Sequence, residues 1–189
     1  MSGGPRRLEG SAGSTGEDDR RIDGRLGWVL VVGLLAVPMV VVPVGDGLTV
    51  VSLWGFLTAA ESGGSAAGSV GGSLSFGGYS VWTYFLDQSR PFASLPASIR
   101  AWPLAIGFHL LAAASATAGV ALDREDRRVT GGLLALAAAA SLWVSVGLAA
   151  RFGVGTTSGL FAVIPSGALA TAAVAAGAYG RDLRSVIER

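Results

Sequence analysis

His109 is the only histidine in the chain, and it lies inside a long uncharged run. An ionisable side chain among apolar residues is expensive to keep there, so it is the first candidate for chemistry: a proton relay or a ligand contact. Its helix-surface neighbours are Ala105, Ala112, Ala113 and Ala116. That small-residue face should turn inward. The competing reading is a neutral imidazole bonded to Ser141, Ser145, Ser166 or Thr171 of a neighbouring helix, a contact of about 0.6 kcal/mol on average. A lone histidine cannot hold a metal, and no carboxylate shares its run.

The other charged candidates lie between apolar runs. Asp46, Glu61, Asp87 and Arg90 fall in one intervening segment. A pair of carboxylates there could perform acid–base work, but nothing in the spacing brings two together. Asp123 to Arg128 (DREDRR) alternates in sign and reads as a topology anchor, with anionic lipid docking as the alternative. Gly155-Thr156-Thr157-Ser158-Gly159 only partly resembles an intramembrane serine protease loop, because position 156 is Thr. Gly153-Val154-Gly155 lacks the βαβ context of a dinucleotide fingerprint. With no cysteine in the chain, thiolate zinc sites, iron–sulfur clusters and disulfides are excluded. The expectation is therefore no catalytic residue, no cofactor and no metal, with His109 as the candidate functional polar residue. The net charge of +1 gives no field for nucleic acid.

The elements that must position these residues are apolar. Hydrophobic residues make up 51% of the chain and charged ones only 14%, against roughly 25% in ordinary soluble domains. The apolar residues come in blocks of about twenty, the length that crosses a bilayer. The fold class expected is an all-α membrane protein: a four-helix transmembrane bundle with a partly embedded extracellular segment between the first and second spans. Residues 1–25 read as a disordered cytoplasmic tail and 26–180 as the bundle. Spans are expected near 26–44, 101–121, 131–150 and 159–180, with 181–189 a second cytoplasmic tail. Pro38 and Pro43 should kink the first span; Thr130 and Ser158 should cap the third and fourth. Residues 45–100 form the outer loop, in which 62–78 is Gly/Ser-rich and reads as flexible coil. Trp54, Tyr79, Trp82 and Tyr84 suit a membrane–water interface.

All fourteen basic residues are Arg. Four spans with the N-terminus inside place eleven of them on cytoplasmic segments and leave Arg90, Arg100 and Arg151 outside, as the positive-inside rule requires. A fifth span at 66–86 would put the DREDRR turn outside. A cleaved signal peptide would need an unusually long, acidic leader. Small residues at four-residue spacing (Ala168, Ala172, Ala176 and Gly180; Gly131, Ala135 and Ala139) should line close helix contacts.

Two stretches carry a resemblance: Leu95-Pro96 with Arg100-Ala101-Trp102-Pro103-Leu104-Ala105, and Glu125-Asp126-Arg127-Arg128-Val129-Thr130-Gly131-Gly132-Leu133-Leu134. Over roughly 26–180 the chain resembles an uncharacterised family of small multipass membrane proteins from halophilic archaea. The resemblance implies a membrane and a helical fold, and no catalytic residues. The function expected is a structural or accessory subunit of a membrane assembly, in contact with the lipid bilayer and with itself or another membrane protein. The alternatives are a small transporter or channel component using His109, and a membrane enzyme with an outer-face site.

Overall fold

The structure, a computed structural model, describes residues 14–44, 47–62, 73–122, 125–150 and 163–187. It is mostly helical. Four long helices run through it: α1 (Ser14–Gly33), α4 (Trp102–Leu122), α5 (Arg127–Leu148) and α6 (Ser166–Ile187). Between α1 and α4 lie the strands β1 (Val40–Val44), β2 (Gly47–Val51), β3 (Gly55–Ser62) and β4 (Ser73–Ser80). Two short helices follow, α2 (Val81–Leu86) and α3 (Ala97–Arg100).

The strands correct the all-α expectation. They form an antiparallel meander in the order β1-β2-β3-β4. Val40 to Val44 reads VVVPV, and β-branched side chains prefer the pleated backbone to the helix. The predicted first span, 26–44, is therefore helical only in its first part. The helix ends at Gly33, one 3-10 turn covers Leu34–Ala36, and Val37 is extended at φ −72°, ψ 130°. Pro38 imposes this, since its ring disfavours the helical conformation at the preceding residue. It ends the helix where a kink was expected. Pro43 sits within β1 rather than in a helix.

Other boundaries also move. The backbone is already helical from Ser14, inside the predicted tail. The α5 helix starts at Arg127, capped by the Asp126 carboxylate, which accepts from the Arg128 and Val129 amides at 3.0 and 3.4 Å. Thr130, expected as that cap, is buried within the helix. Pro165 precedes α6 instead of lying inside it, and α6 continues through the predicted tail to Ile187. The expected cap Ser158 lies outside the described residues. The predicted coil 62–78 ends in strand: Gly77 and Gly78 pair with Thr58 and Leu57.

Register explains how the sheet docks. Val40 pairs with Val51 and Val51 with Phe56, while Val42 pairs with Thr49. Side chains alternate across a strand, so Val40, Val42, Val51 and Phe56 share one face. That face joins Ile99, Trp102, Ile106, Val144 and Leu148 in one apolar cluster. Phe56 meets the Trp102 ring edge-on at 5.1 Å, and Trp102 Nε1 donates to the Leu53 carbonyl at 3.2 Å. The sheet thus caps one end of the bundle. At the other end, Arg127 reaches Asp182 and Glu125 meets Tyr179. That charged end also holds the start of the apolar run of α1, since Gly27 sits against the Tyr179 hydroxyl.

The segments Ala97–Leu122 and Arg127–Leu148 are long and apolar enough to cross a bilayer; Gly24–Ala36 is a shorter apolar helix. They are apolar on their outer faces as well as inside. Leu104, Leu110 and Leu111 on α4, and Leu136, Leu142 and Trp143 on α5, are exposed. A helix apolar all round is enclosed by protein or by lipid.

The small-residue stripes sort differently from expectation. Ala105, Ala112, Ala113 and Ala116 are buried as predicted. On α6 the inward face is Ala168, Thr171, Ala175 and Tyr179, while Ala172 and Ala176 face out. On α5, Gly131 is buried but Ala135 and Ala139 are exposed. Where nearly every residue is small, many stripes are available, and larger side chains such as Tyr179 and Leu134 select the face.

Candidate functional site

His109 is buried at 4% exposure, on α4 between two apolar clusters. Above it, Trp102, Ala105 and Ile106 belong to the cluster under the sheet. Below it, Ala112, Ala113 and Ala116 belong to a second cluster with Val31, Leu34, Leu134, Ala175 and Tyr179. On α5, Ser141 falls between Val144 of the first cluster and Leu134 of the second. Thr171 occupies the corresponding level of α6. The bundle thus has a buried polar layer, and His109 is its only ionisable member among the described residues.

Both ring nitrogens are engaged. Nδ1 lies 2.7 Å from the Ala105 carbonyl, and Nε2 lies 3.1 Å from Thr171 Oγ1. A carbonyl only accepts, so Nδ1 carries a proton. In the neutral ring Nε2 then accepts, and the Thr171 hydroxyl must donate to it. Thr171 Oγ1 also lies 2.7 Å from the Gly167 carbonyl, and its single proton can serve that oxygen or Nε2 but not both. The neutral Nδ1–H tautomer bonds both ring nitrogens when that proton goes to Nε2. We expect nitrogen-15 NMR of the ring to show Nδ1 protonated and Nε2 bare; the opposite tautomer would refute the assignment. Thr171→Val strands Nε2 in the core. By the scale of helix-to-helix side-chain bonds it should cost about 0.6 to 1.7 kcal/mol in thermal unfolding.

Ser141, Ser145 and Ser166 were the other predicted partners. Ser145 donates to the Ser141 carbonyl at 2.7 Å, and Ser166 to the Pro38 carbonyl at 2.8 Å. The Ser141 hydroxyl is fully buried without a partner among the described residues. The remaining helix pairs are also tied by polar contacts. Trp28 Nε1 donates to Thr117 Oγ1 at 3.0 Å, joining α1 to α4. Ser115 and Thr130 hydroxyls meet at 2.7 Å, joining α4 to α5. Arg127 donates to Asp182 at 3.1 Å and to the Ala178 carbonyl at 2.6 Å, and lies 5.0 Å over the Tyr179 ring, joining α5 to α6.

Of the four charged candidates between the first two apolar runs, Asp87 and Arg90 are described, and they do not pair with each other. Asp87 accepts a hydrogen bond from the Tyr79 hydroxyl, and Arg90 is exposed. Asp46 and the Glu61 side chain lie outside the described residues, as do 151–162 with the Gly/Thr/Ser loop. Among the described residues no three His, Cys, Asp or Glu side chains group to hold a metal. The Asp87 hydrogen bond pushes the Tyr79 phenol above its ordinary pKa of 10.0, with desolvation and the nearby carboxylate charge adding. A raised folded pKa means this contact helps below pH 10 and is lost as pH climbs through the folded value. In an absorbance titration Asp87→Asn should bring the ionisation of one tyrosine to lower pH.

Sequence reasoning missed two glycines that position the parts. Gly167 packs so closely that a Cβ would lie 2.7 Å from the Met39 backbone. Gly55 has φ +153° and meets the Tyr79 carbonyl. An isolated glycine before an apolar strand was the available signal for the second.

Fold and site together define a class: a bundle of apolar helices, tied by polar contacts and capped by an antiparallel sheet. The chain belongs to the family described as domain of unknown function DUF8050, whose model matches residues 8–189. Comparison with curated proteins finds no match.

Proposed function

We propose that this chain is a four-span membrane protein with both termini in the cytoplasm, serving as a non-enzymatic structural or accessory subunit of a membrane assembly. The proposal includes the haloarchaeal membrane family that the sequence resembles. The observation that carries it is the way the two shorter apolar helices are completed.

Gly24–Ala36 is about 20 Å long, and the apolar part of α6, residues 166–180, about 22 Å. Each falls short of a hydrocarbon core of roughly 30 Å. Extended backbone is tolerated at such depth only where protein satisfies it. The two extended continuations pair with each other. Val41 N donates to the Ile164 carbonyl at 3.2 Å and Ile164 N to the Val41 carbonyl at 3.1 Å. Gly167 N donates to the Met39 carbonyl at 3.1 Å. Met39 and Val40 are buried. Together with α4 and α5, this supports four crossings.

The subunit role rests on the sheet's other face. Ile164, Val41, Val50, Leu57 and Gly78 follow one another across the strands, as do Pro43, Leu48, Ala59 and Phe76. No charge or hydroxyl interrupts either row, whereas a one-sided antiparallel sheet is normally polar on its outer face. Leu57 and Phe76 are 60% and 78% exposed. An exposed apolar patch of this kind marks an interaction surface. The engaged nitrogens of His109 favour a helix tie over a proton path.

The lack of cysteine makes the topology test clean. Leu86→Cys should react with a membrane-impermeant maleimide in intact cells, and Arg184→Cys only after lysis. Labelling of both in intact cells refutes the orientation. Recovery of the chain in the soluble fraction after cell disruption refutes the membrane. In mild detergent the chain should purify in a particle larger than its own 19.0 kDa and its micelle; a lone monomer refutes the subunit role.

A further inference from the structure

The charged end of the bundle holds both signs, but the two are used differently. Glu125, Asp126 and Asp182 are engaged within the molecule. Glu125 accepts from the Tyr179 hydroxyl at 3.1 Å. Asp126 caps α5 through two backbone amides. Asp182 accepts from Arg127 at 3.1 Å. The arginines divide. Arg127 is turned inward over Tyr179, whereas Arg25, Arg128, Arg181 and Arg184 are exposed.

Their placement matters as much as their number. Arg25 directly precedes the apolar run of α1, Arg128 lies in the first turn of α5, and Arg181 and Arg184 lie three residues apart on the last turns of α6. Three of the four long helices thus present a guanidinium at the edge of their apolar surface. One small anion could not touch helices on different sides of a bundle. A layer of anions surrounding it could touch all of them.

We propose that these four arginines form a collar that binds anionic lipid headgroups of the cytoplasmic leaflet. The collar rests on the membrane reading above. The planar guanidinium fork fits phosphate oxygens in pairs. Near an anionic surface each such residue strengthens attraction severalfold, within a distance set by salt screening. Against these three carboxylates stand Arg127 and the four collar arginines, which leaves positive charge in excess. Arg127 belongs to the fold, the other four to the lipid.

The test uses the full chain in detergent, exchanged into nanodiscs of phosphatidylcholine with 30 mole per cent phosphatidylglycerol. Lipid retained by the protein on native mass spectrometry should be enriched in phosphatidylglycerol about tenfold over the bulk. Raised salt should weaken that enrichment. The triple variant Arg128→Gln, Arg181→Gln, Arg184→Gln should bring it near unity, and the same three positions changed to Lys should retain most of it. If the Gln variant fails to fold, the wild-type enrichment and its salt dependence decide alone. Equal retention of the two lipids, or a Gln variant that folds and still enriches, overturns the collar. Loss of bound lipid to millimolar inorganic phosphate also overturns it, in favour of a single soluble-anion site. Membrane recovery and maleimide labelling do not depend on these arginines being lipid ligands, so the collar can fail while the topology stands.

Discussion

Replacing Gly55 by alanine should unfold the four-stranded sheet, lowering the stability of that unit by about 3 kcal/mol or more. Two costs combine. At φ +153° the backbone is in a region that side chains with a Cβ rarely adopt. The added methyl would also overlap the carbonyl of Tyr79 and approach the Cα of Ser80 at 2.9 Å. Both obstacles are backbone, so no rotamer change relieves them. Gly55 pairs with Ser80 at the end of the β3–β4 ladder. Ser80 caps α2 through its hydroxyl, and Val81 N donates to the Trp54 carbonyl at 2.8 Å. Displacing Tyr79 therefore disturbs the strand pairing and the start of α2 together. Limited proteolysis should cut Gly55→Ala within 55–86 at protease levels the parent resists, while the helices stay protected. A variant as resistant as the parent would show that this approach is not as tight as described.

Gly167→Val should have an effect of similar size at the other junction. Its Cβ would lie 2.7 Å from Met39 Cα and 2.9 Å from the Pro38 carbonyl oxygen. Forcing these apart costs overpacking strain of about 1 to 3 kcal/mol. It also loosens the Gly167–Met39 bond, the Ser166–Pro38 bond and the Val41–Ile164 pair, each worth about 0.5 to 1.5 kcal/mol. With the bonds loosened rather than lost, the combined cost should be about 3 kcal/mol or more. Helix α6 and the start of β1 should separate. Met39 and Val40, now buried, should gain hydrogen exchange. Gly177→Ala is the control, since nothing lies within 4 Å of its added Cβ. It should be neutral or slightly stabilising through helix propensity. If both variants behave alike, the paired ends of α1 and α6 do not hold the bundle, and the four-crossing argument loses its support.

The second and third long helices were legible because their patterns are long and unbroken. Residues 101–121 match α4 within a residue at each end, and 131–150 match α5 apart from its first turn. The burial of His109 followed from its alanine neighbours at helical spacing, and Thr171 was among its four named partners. Which of the four it would meet was not legible, because that depends on how α4 and α6 cross. The inward face of α6 was misread for a related reason: a stripe drawn through alanines has no unique partner until a tyrosine elsewhere on the helix fixes its rotation.

The region 45–100 shows the same division. Short apolar runs fit a strand and a buried helix segment equally. Leu48 to Ala60 was too short to span, and nothing local decided what it did instead. Strand pairing and docking decided it: Val51 meets Val40 on one side and Phe56 on the other, and the face so formed finds the distant Trp102 beneath it. The Gly/Ser stretch 73–78 has little strand preference of its own, and becomes a strand because β3 offers it a ladder.

What the amino-acid order determined alone is where hydrocarbon-like segments lie and where arginine punctuates them, since transfer from water is a sum over local residues. What only the tertiary structure decided is where the first helix stops and what its remaining residues do. A valine run after a proline can extend the helix, turn, or pair. It pairs here because β2, next in sequence, offers it a hairpin ladder, and because Ile164, more than a hundred residues later, bonds its other edge.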